Sequence, residues 1–365
     1  GVETSLETII NLNMDRVESV TILKDAASTA IYGSKAANGV IVVETKQPEA
    51  GQLRVSYSGN FGVSFADLSD YNLMNSSEKL EYERRAGRYT PISDDAGYGS
   101  VTSKDQEYYN RLKEILRGVD TYWMNEPLRT VFTHRHNLYI DGGDKSMRYG
   151  LGVSYNSNNG VMKGSDRDGA AVNIDLTYRK KSLLFSNKAS LDITNSSREP
   201  VSFSEFSRAN PYYRKELADG TIPLYLEKGE TKQEDVYNPL YKWHIKNTNE
   251  TKSLQLRDNF NVEWTFKEAL RFRGRLGLTK NISKTERFKS PRHPDFAETE
   301  KLQKGSFSQE HSESFSYDGK LDIIFGKLFL NLHQVNFVGG WSFNESKNEA
   351  NGYETVGFND EFHTN

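Results

Sequence analysis

RVESVTILKDAASTAIYGSKAANGVIVVETK, residues 16–46, decides how the rest of this chain is read. Val17, Val20 and Ile22 lead as a strand into Leu23-Lys24-Asp25. The small residues from Ala26 to Ile31 predict a short helical turn, which Tyr32-Gly33-Ser34 breaks. A second, apolar strand then runs from Gly39 through Val40-Ile41-Val42-Val43 to Lys46, with Gly33 and Gly39 bracketing the turn before it. Strand, short helix, break and apolar strand together make a small packed α+β unit.

Beyond Gln52 the chain alternates extended segments with connectors that are in turn long and short. Strands are expected at residues 52–65, 130–141, 146–156, 169–178, 182–194, 251–266, 270–283, 309–325 and 328–343. Short turns fall at Gly142 to Lys145, Arg179 to Lys181, Lys267 to Ala269 and Gly326-Lys327. The long connectors are Ala66 to Arg129, Asn195 to Glu250 and Lys284 to Ser308, and the first holds helix-like stretches at Ser76 to Arg88 and Ser103 to Arg117. Within strands the pattern has period two. Met147, Tyr149, Leu151, Val153 and Tyr155 oppose Arg148, Gly150, Gly152, Ser154 and Asn156. Leu270, Phe272, Leu276 and Leu278 oppose Arg271, Arg273, Arg275 and Thr279. Such strands fit a soluble sandwich or a membrane barrel. Consistent sorting of short turns from long loops favours the barrel, with one kind on each side of a bilayer.

Composition narrows the field. The chain has 365 residues and a net charge of −3, so it carries no field of one sign that would draw nucleic acid. No run reaches the roughly 20 apolar residues of a membrane helix, but barrel strands average out to a hydrophilic score. Aromatic residues make up 12%, which suits a β-rich chain. Cysteine is absent, removing thiol catalysis, thiolate metal sites and disulfides. The opening GVETSLETII has no basic region leading into an apolar one, so a cytosolic protein or a chain missing its start is expected.

The segment LKDAASTAIYGSKAANGVIVVETK resembles the end of the plug domain of TonB-dependent outer-membrane transporters, in the wording of the SusC/RagA-like branch. Lys24, Asp25, Tyr32, Gly33, Asn38 and Gly39 carry that motif. The likeness continues through Asp120-Thr121-Tyr122-Trp123, His136-Asn137-Leu138, Gly142-Gly143-Asp144-Lys145, Tyr149-Gly150 and Asn159-Gly160-Val161-Met162, and thins out after about Thr194 through Asn210-Pro211-Tyr212 and Asn238-Pro239-Leu240-Tyr241. It implies a mainly β chain: the end of an α+β plug over residues 1–48, then the N-terminal portion of a large antiparallel transmembrane β-barrel over 49–365, an internal fragment of a 22-stranded barrel. It implies TonB-dependent uptake of oligosaccharides or peptides across the outer membrane of a Bacteroidetes-like bacterium. The partners implied are a SusD-like surface lipoprotein, the TonB-ExbB-ExbD complex and outer-membrane lipid. No cofactor is implied. The alternative is a surface β-sandwich adhesin that binds glycans.

Residue chemistry adds little that is catalytic. His134 and His136 share a strand face, but without a third ligand nearby a strand-surface role is plainer than zinc. Ser165-Asp166-Arg167-Asp168-Gly169 lacks the later ligands of a calcium loop. Asp94-Asp95, or Glu310 with Glu313, could serve a glycosidase only at a set separation. No nucleophile elbow or phosphate loop is present, so an enzyme is not expected. For ligand contact, Tyr212, Tyr213, Tyr225, Tyr237, Tyr241 and Trp243 crowd the second long connector, where they would stack on sugar rings or side chains, or pack the loop itself. Arg271, Arg273 and Arg275 are expected to face the barrel lumen and to meet plug carboxylates or Glu263, Asp318 and Asp322.

Overall fold

The computed structural model describes residues 17–25, 39–90, 98–198, 200–229, 234–245, 247–267, 269–330 and 332–358. Two strands, β1 (Val17–Leu23) and β2 (Val40–Thr45), pair as an antiparallel hairpin apart from the rest. Gly39 enters β2 at a φ of +96°, and a Cβ there would lie 3.0 Å from the Leu23 carbonyl oxygen, so glycine is required. Lys24 and Asp25 follow β1. Tyr32, Gly33 and Asn38, with the helical turn expected at Ala26 to Ile31, lie outside the described residues.

The remainder is built on one nine-stranded antiparallel sheet: β3 (Gly51–Ser64), β4 (Val131–Gly143), β5 (Met147–Ser157), β6 (Asp166–Lys180), β7 (Leu183–Ser197), β10 (Thr248–Phe266), β11 (Leu270–Lys289), β12 (Ser306–Phe329) and β13 (His333–Val356). Each strand pairs with its neighbours in sequence, so the sheet is an uninterrupted meander. A sandwich needs two sheets face to face, and the nine strands instead form a single ladder. A small hairpin, β8 (Tyr225–Glu227) with β9 (Val236–Tyr237), lies in the connector between β7 and β10, as do the short helices α3 (Phe203–Ser207) and α4 (Pro239–His244). The first long connector holds α1 (Ser76–Arg85) and α2 (Tyr98–Leu116).

Strand boundaries differ from the sequence reading most at the last three strands. Gly326-Lys327 is not a turn: both residues are paired inside β12, with Asn336 and Val335, and the chain reverses after Phe329 pairs with His333. The connector expected at 284–308 shrinks, because β11 continues to Lys289 and β12 begins at Ser306. β13 likewise runs on to Val356.

Register fixes two faces. Directly paired residues point to the same side, and one row crosses all nine strands: Arg54, Asp141, Gly150, Asp175, Lys188, Asn259, Gly277, Asp318 and Asn344. The Lys188 ammonium on this row donates to Thr45 Oγ1 of β2 at 2.6 Å. The Glu49 amide reaches Asp141 at 3.4 Å, and Arg148 donates to the Pro48 carbonyl at 3.4 Å. The hairpin and its exit segment therefore lie against this face, which is the inner one.

The opposite face is apolar. It carries Leu151, Val153, Ile174, Leu256, Val262, Leu276, Leu321, Ile323 and Phe337, and its Trp341 is 63% exposed. A continuous apolar belt of this size is a membrane-facing surface rather than a soluble one. Beside the turn between β10 and β11, Trp264 stacks on Phe272 at 5.5 Å and meets Phe266 edge-on at 5.4 Å, an aromatic cluster of the kind that marks a bilayer interface. Asp258 on this face accepts from the Asn187 carboxamide at 2.5 Å. Among the described residues no helix is long and apolar enough to cross a membrane.

Close packing on the belt is testable. Gly319 faces Phe343 directly across the ladder, and a Cβ built on Gly319 would lie 2.1 Å from Phe343 Cζ. Gly319→Val is expected to cost about 1–3 kcal/mol by overpacking. Most of that loss should vanish in a Phe343→Ala background, since residues in contact do not add. Equal losses in both backgrounds, measured by denaturant unfolding in detergent, would show that the ring does not cover the glycine.

Candidate functional site

At the end of the sheet where the long connectors lie, two of them fold into one body. The Thr121 amide donates to the Pro211 carbonyl at 2.8 Å and the Thr121 hydroxyl to the Tyr213 carbonyl at 2.9 Å. Trp123 Nε1 donates to the Asn210 carbonyl at 3.0 Å, and the Asn238 carboxamide to the Lys215 carbonyl at 2.9 Å. The separate motifs Asp120-Thr121-Tyr122-Trp123, Asn210-Pro211-Tyr212 and Asn238-Pro239-Leu240-Tyr241 thus meet in space. Trp123, Val201, Phe206, Tyr212 and Tyr213 form the buried core of this layer, with Leu226, Leu240 and Trp243 packed around it.

A charged cluster, which the sequence reading missed, holds α1, α2 and β8 together. Arg111 on α2 is 4% exposed and reaches Glu83 of α1 at 3.3 Å, Glu107 at 2.6 Å and Glu227 of β8 at 2.9 Å. Its guanidinium also donates to the Tyr89 hydroxyl at 2.7 Å and lies 5.0 Å from the Tyr212 ring centroid. The Tyr212 hydroxyl donates to Glu83 at 3.0 Å and the Tyr213 hydroxyl to Glu227 at 2.5 Å. Burial pushes the Tyr212 and Tyr213 hydroxyls well above the ordinary phenol value, so both stay neutral donors. A fork with five donors suits this meeting of three carboxylates, but nothing local in the sequence turns Arg111 inward.

Glu107 gives the cluster a pH dependence. Burial alone would raise its carboxyl, but the attraction of Arg111 and the hydrogen bonds from Lys104 and Arg88 outweigh it and hold the group below the usual carboxylate value of 4.5. A depressed folded pKa contributes stability that is fully present above the unfolded value and is lost as pH falls through the folded one. Protease resistance of the connector layer is expected to hold at pH 7 and 5 and to fall below about pH 4. Resistance that declined already between pH 7 and 5 would point to a different titrating group.

The aromatic residues singled out in the sequence separate into two groups. Tyr212 and Tyr213 are core residues whose hydroxyls and rings are engaged as above, 1% and 6% exposed. Tyr225 and Tyr237 lie ring to ring at 5.1 Å across the small hairpin. Tyr241 and Trp243 are half-buried on α4. Trp243 meets Phe206 edge-on at 6.2 Å and lines an open cleft of about 320 Å³ together with Leu240, Ile222, Lys163, Lys215 and Glu126. Lys215 pairs with Glu126 at 3.2 Å, and Lys163 donates to the Glu126 carbonyl at 2.7 Å. Such a cleft offers an apolar plane beside polar groups of both signs.

On the inner wall, Arg271 and Arg273 share Glu263, at 3.5 and 3.1 Å. Asp322 lies opposite Arg273 in register, and its ion pair is with Lys320 at 3.4 Å. Arg275 follows on the same face, opposite Lys320. His134 and His136 lie on the outer face, their rings 5.2 Å apart, with Tyr57 hydrogen-bonded to His136 at 2.8 Å. Asp166 pairs with Arg129. Glu310 and Glu313, three residues apart in β12, point to opposite faces, so they cannot flank one bond. Asp94 and Asp95 lie outside the described residues.

The comparisons agree with this geometry. No family model matches the chain. The TonB-dependent receptor SusC of Bacteroides thetaiotaomicron is 30% identical over 193 residues, covering 52% of this chain and 17% of that protein. A TonB-dependent receptor of Formosa agariphila is 23% identical over 346 residues, covering 92% of this chain and 31% of the relative. Among solved structures, the RagAB peptide importer in its closed-closed state superposes with a TM-score of 0.80 at 18% identity, over 100% of this chain and 42% of that one. Its open-open state gives 0.79. The fold is therefore that of the barrel of a TonB-dependent receptor. Within that class the chain resembles the SusC/RagA-like branch, of whose curated members it spans less than a third.

Proposed function

We propose that the complete protein is a TonB-dependent transporter of the outer membrane of a Bacteroidetes-like bacterium, taking up oligosaccharides or peptides, and is not an enzyme. The observation that carries this is the β1–β2 hairpin held against the inner wall of a sheet whose outer wall is an apolar belt. A barrel filled by part of its own chain blocks free diffusion, so passage needs an energised displacement. Residues 1–48 are read as the end of the plug and 49–365 as the first barrel strands. Arg271, Arg273 and Arg275 then line the lumen beside the plug, and Tyr237, Tyr241 and Trp243 belong to the ligand-facing loops. Because the plug joins β3 from the periplasm, the long connectors lie outside the cell, where a SusD-like lipoprotein would cover them, and the TonB-ExbB-ExbD complex acts from below. Inactivating the gene, or the energising complex, should abolish uptake of the same labelled oligosaccharide or peptide pool. Uptake that survives loss of the energising complex would refute the reading.

Sides of the membrane follow too. Protease added to intact cells is expected to cut within the long connectors and to spare the Arg179-Lys180-Lys181 turn. Cleavage at that turn would invert the topology.

A further inference from the structure

The segment that joins the hairpin to the barrel crosses the inner wall along one register row. Arg54 of β3, Asp141 of β4, Gly150 of β5, Asp175 of β6 and Lys188 of β7 are partners in succession across the ladder, and the chain from Thr45 to Glu49 meets this row at both ends. The two ends are held differently. At the β4–β5 end Pro48 is fully buried. A Cβ built on Gly150 would lie 3.3 Å from Pro48 Cγ and 2.9 Å from Tyr139 Cζ, so the glycine leaves the socket in which the proline ring sits. Arg148 donates to the Pro48 carbonyl and the Glu49 amide to Asp141, each at 3.4 Å, and Arg54 bridges Glu49 at 2.8 Å and Asp141 at 2.6 Å. Just beyond, Gly51 is already paired with Gly143 in the ladder. At the β7 end the tie is the hydrogen bond from the Lys188 ammonium to the Thr45 hydroxyl, at 2.6 Å. The hairpin that precedes it pairs with itself and with no strand of the large sheet. Val20, Ile22 and Ile41 on one of its faces are 57%, 59% and 52% exposed, so the described wall does not cover them. Lys46 and Gln47, between the two ends, are exposed.

We propose that Lys188 with Thr45 is a latch that opens in each transport cycle and that the socket around Pro48 is an anchor that stays shut, so that displacement of the plug ends between them; this rests on the import function proposed above. On that reading the energising pull reaches this segment from its N-terminal side and loads the latch before the anchor. Opening the latch exchanges a hydrogen bond to a hydroxyl for one to water. It also leaves the Lys188 ammonium opposite Asp175 in register, so no buried charge is stranded. Opening the anchor would expose the Pro48 ring and part a backbone carbonyl and a backbone amide from their partners together, on a chain that the ladder already holds at Gly51. Gln47, preceding a proline, is confined to extended conformations, which leaves Lys46 as the swivel. An anchor so close to the latch returns the hairpin to the same place after every cycle.

The test uses the full-length transporter, free of other cysteines, in cells lacking the chromosomal copy. The probes are a tritiated casein digest and tritiated oligosaccharides from mannan, xylan and starch. Two double variants, Thr45→Cys with Lys188→Cys and Glu49→Cys with Asp141→Cys, are each bridged by a bis-methanethiosulfonate linker that reducing agent removes. Bridging the first pair should lower energy-dependent uptake about tenfold at unchanged surface amount, because a motion that gates passage is then blocked. Reduction of the same cells should restore it, which a misfolded barrel would not do. Bridging the second pair should leave uptake as it is. Uptake indifferent to the first bridge would overturn the latch, and uptake lost on forming the second would overturn the anchor, both leaving import intact. No energy-dependent uptake of any probe by the unmodified transporter would overturn import itself.

Discussion

Replacing Arg111 by leucine is expected to loosen the connector layer by about 3–5 kcal/mol, the usual cost of removing one partner from a buried charge cluster. Glu83, Glu107 and Glu227 would be left facing one another without the guanidinium that bridges them. The loss should be local. Amide exchange in detergent should speed up through α1, α2 and β8, while the sheet, whose ladder contains none of these residues, keeps its protection. Arg111→Lys should fall between the two, because an ammonium restores charge without the planar fork. Wild-type exchange in α1 and α2 of the leucine variant would show that the cluster does not join the two connectors.

The second large effect belongs to the outer face. Leu276→Arg places a guanidinium near the middle of the apolar run of β11 and is expected to destabilise the inserted barrel by about 2–4 kcal/mol. The same change at Phe272, two residues from the turn, should cost about 0–1 kcal/mol, because the penalty falls toward the interface. Arg273→Leu on the inner face removes one half-exposed pair with Glu263 and should cost no more than about 1 kcal/mol. Refolding into lipid vesicles, followed by the shift in electrophoretic mobility of the closed barrel, ranks the three. If Arg273→Leu proved the most damaging, the inside and outside of this strand would be reversed.

All nine strands and both faces were legible from the sequence because a strand's period of two survives any context. Met147 to Tyr155 and Leu270 to Leu278 declared their lipid sides before any contact was known. The last hairpin was misread for a physical reason. Gly326-Lys327 has turn chemistry but is paired in the ladder, whereas the true reversal begins at Leu330, which takes a φ of +53° that a reader reserves for glycine or asparagine. The upper parts of β11 and β13 were read as connector or left out because charge suggested loop. There the strands have left the belt, and polar side chains on both faces are what water requires. The Arg111 cluster was illegible, since its members come from three segments brought together only by the folded connectors. Tyr212 and Tyr213 were visible as aromatic residues, but whether they look inward or outward is decided by the same tertiary contacts.

β12 and β13 each have 24 residues. At about 3.3 Å per residue and a tilt near 40°, such a strand rises on the order of 60 Å, more than twice the roughly 25 Å of a barrel's apolar band. The outward apolar run of β13 is spent by Phe343, and everything from Glu345 to Val356 stands in water. These strands therefore form a parapet over the bilayer on this side of the mouth. Under the import function proposed above, a molecule drifting along the membrane surface would meet a charged fence tens of ångströms high, and its way in on this flank would be from above.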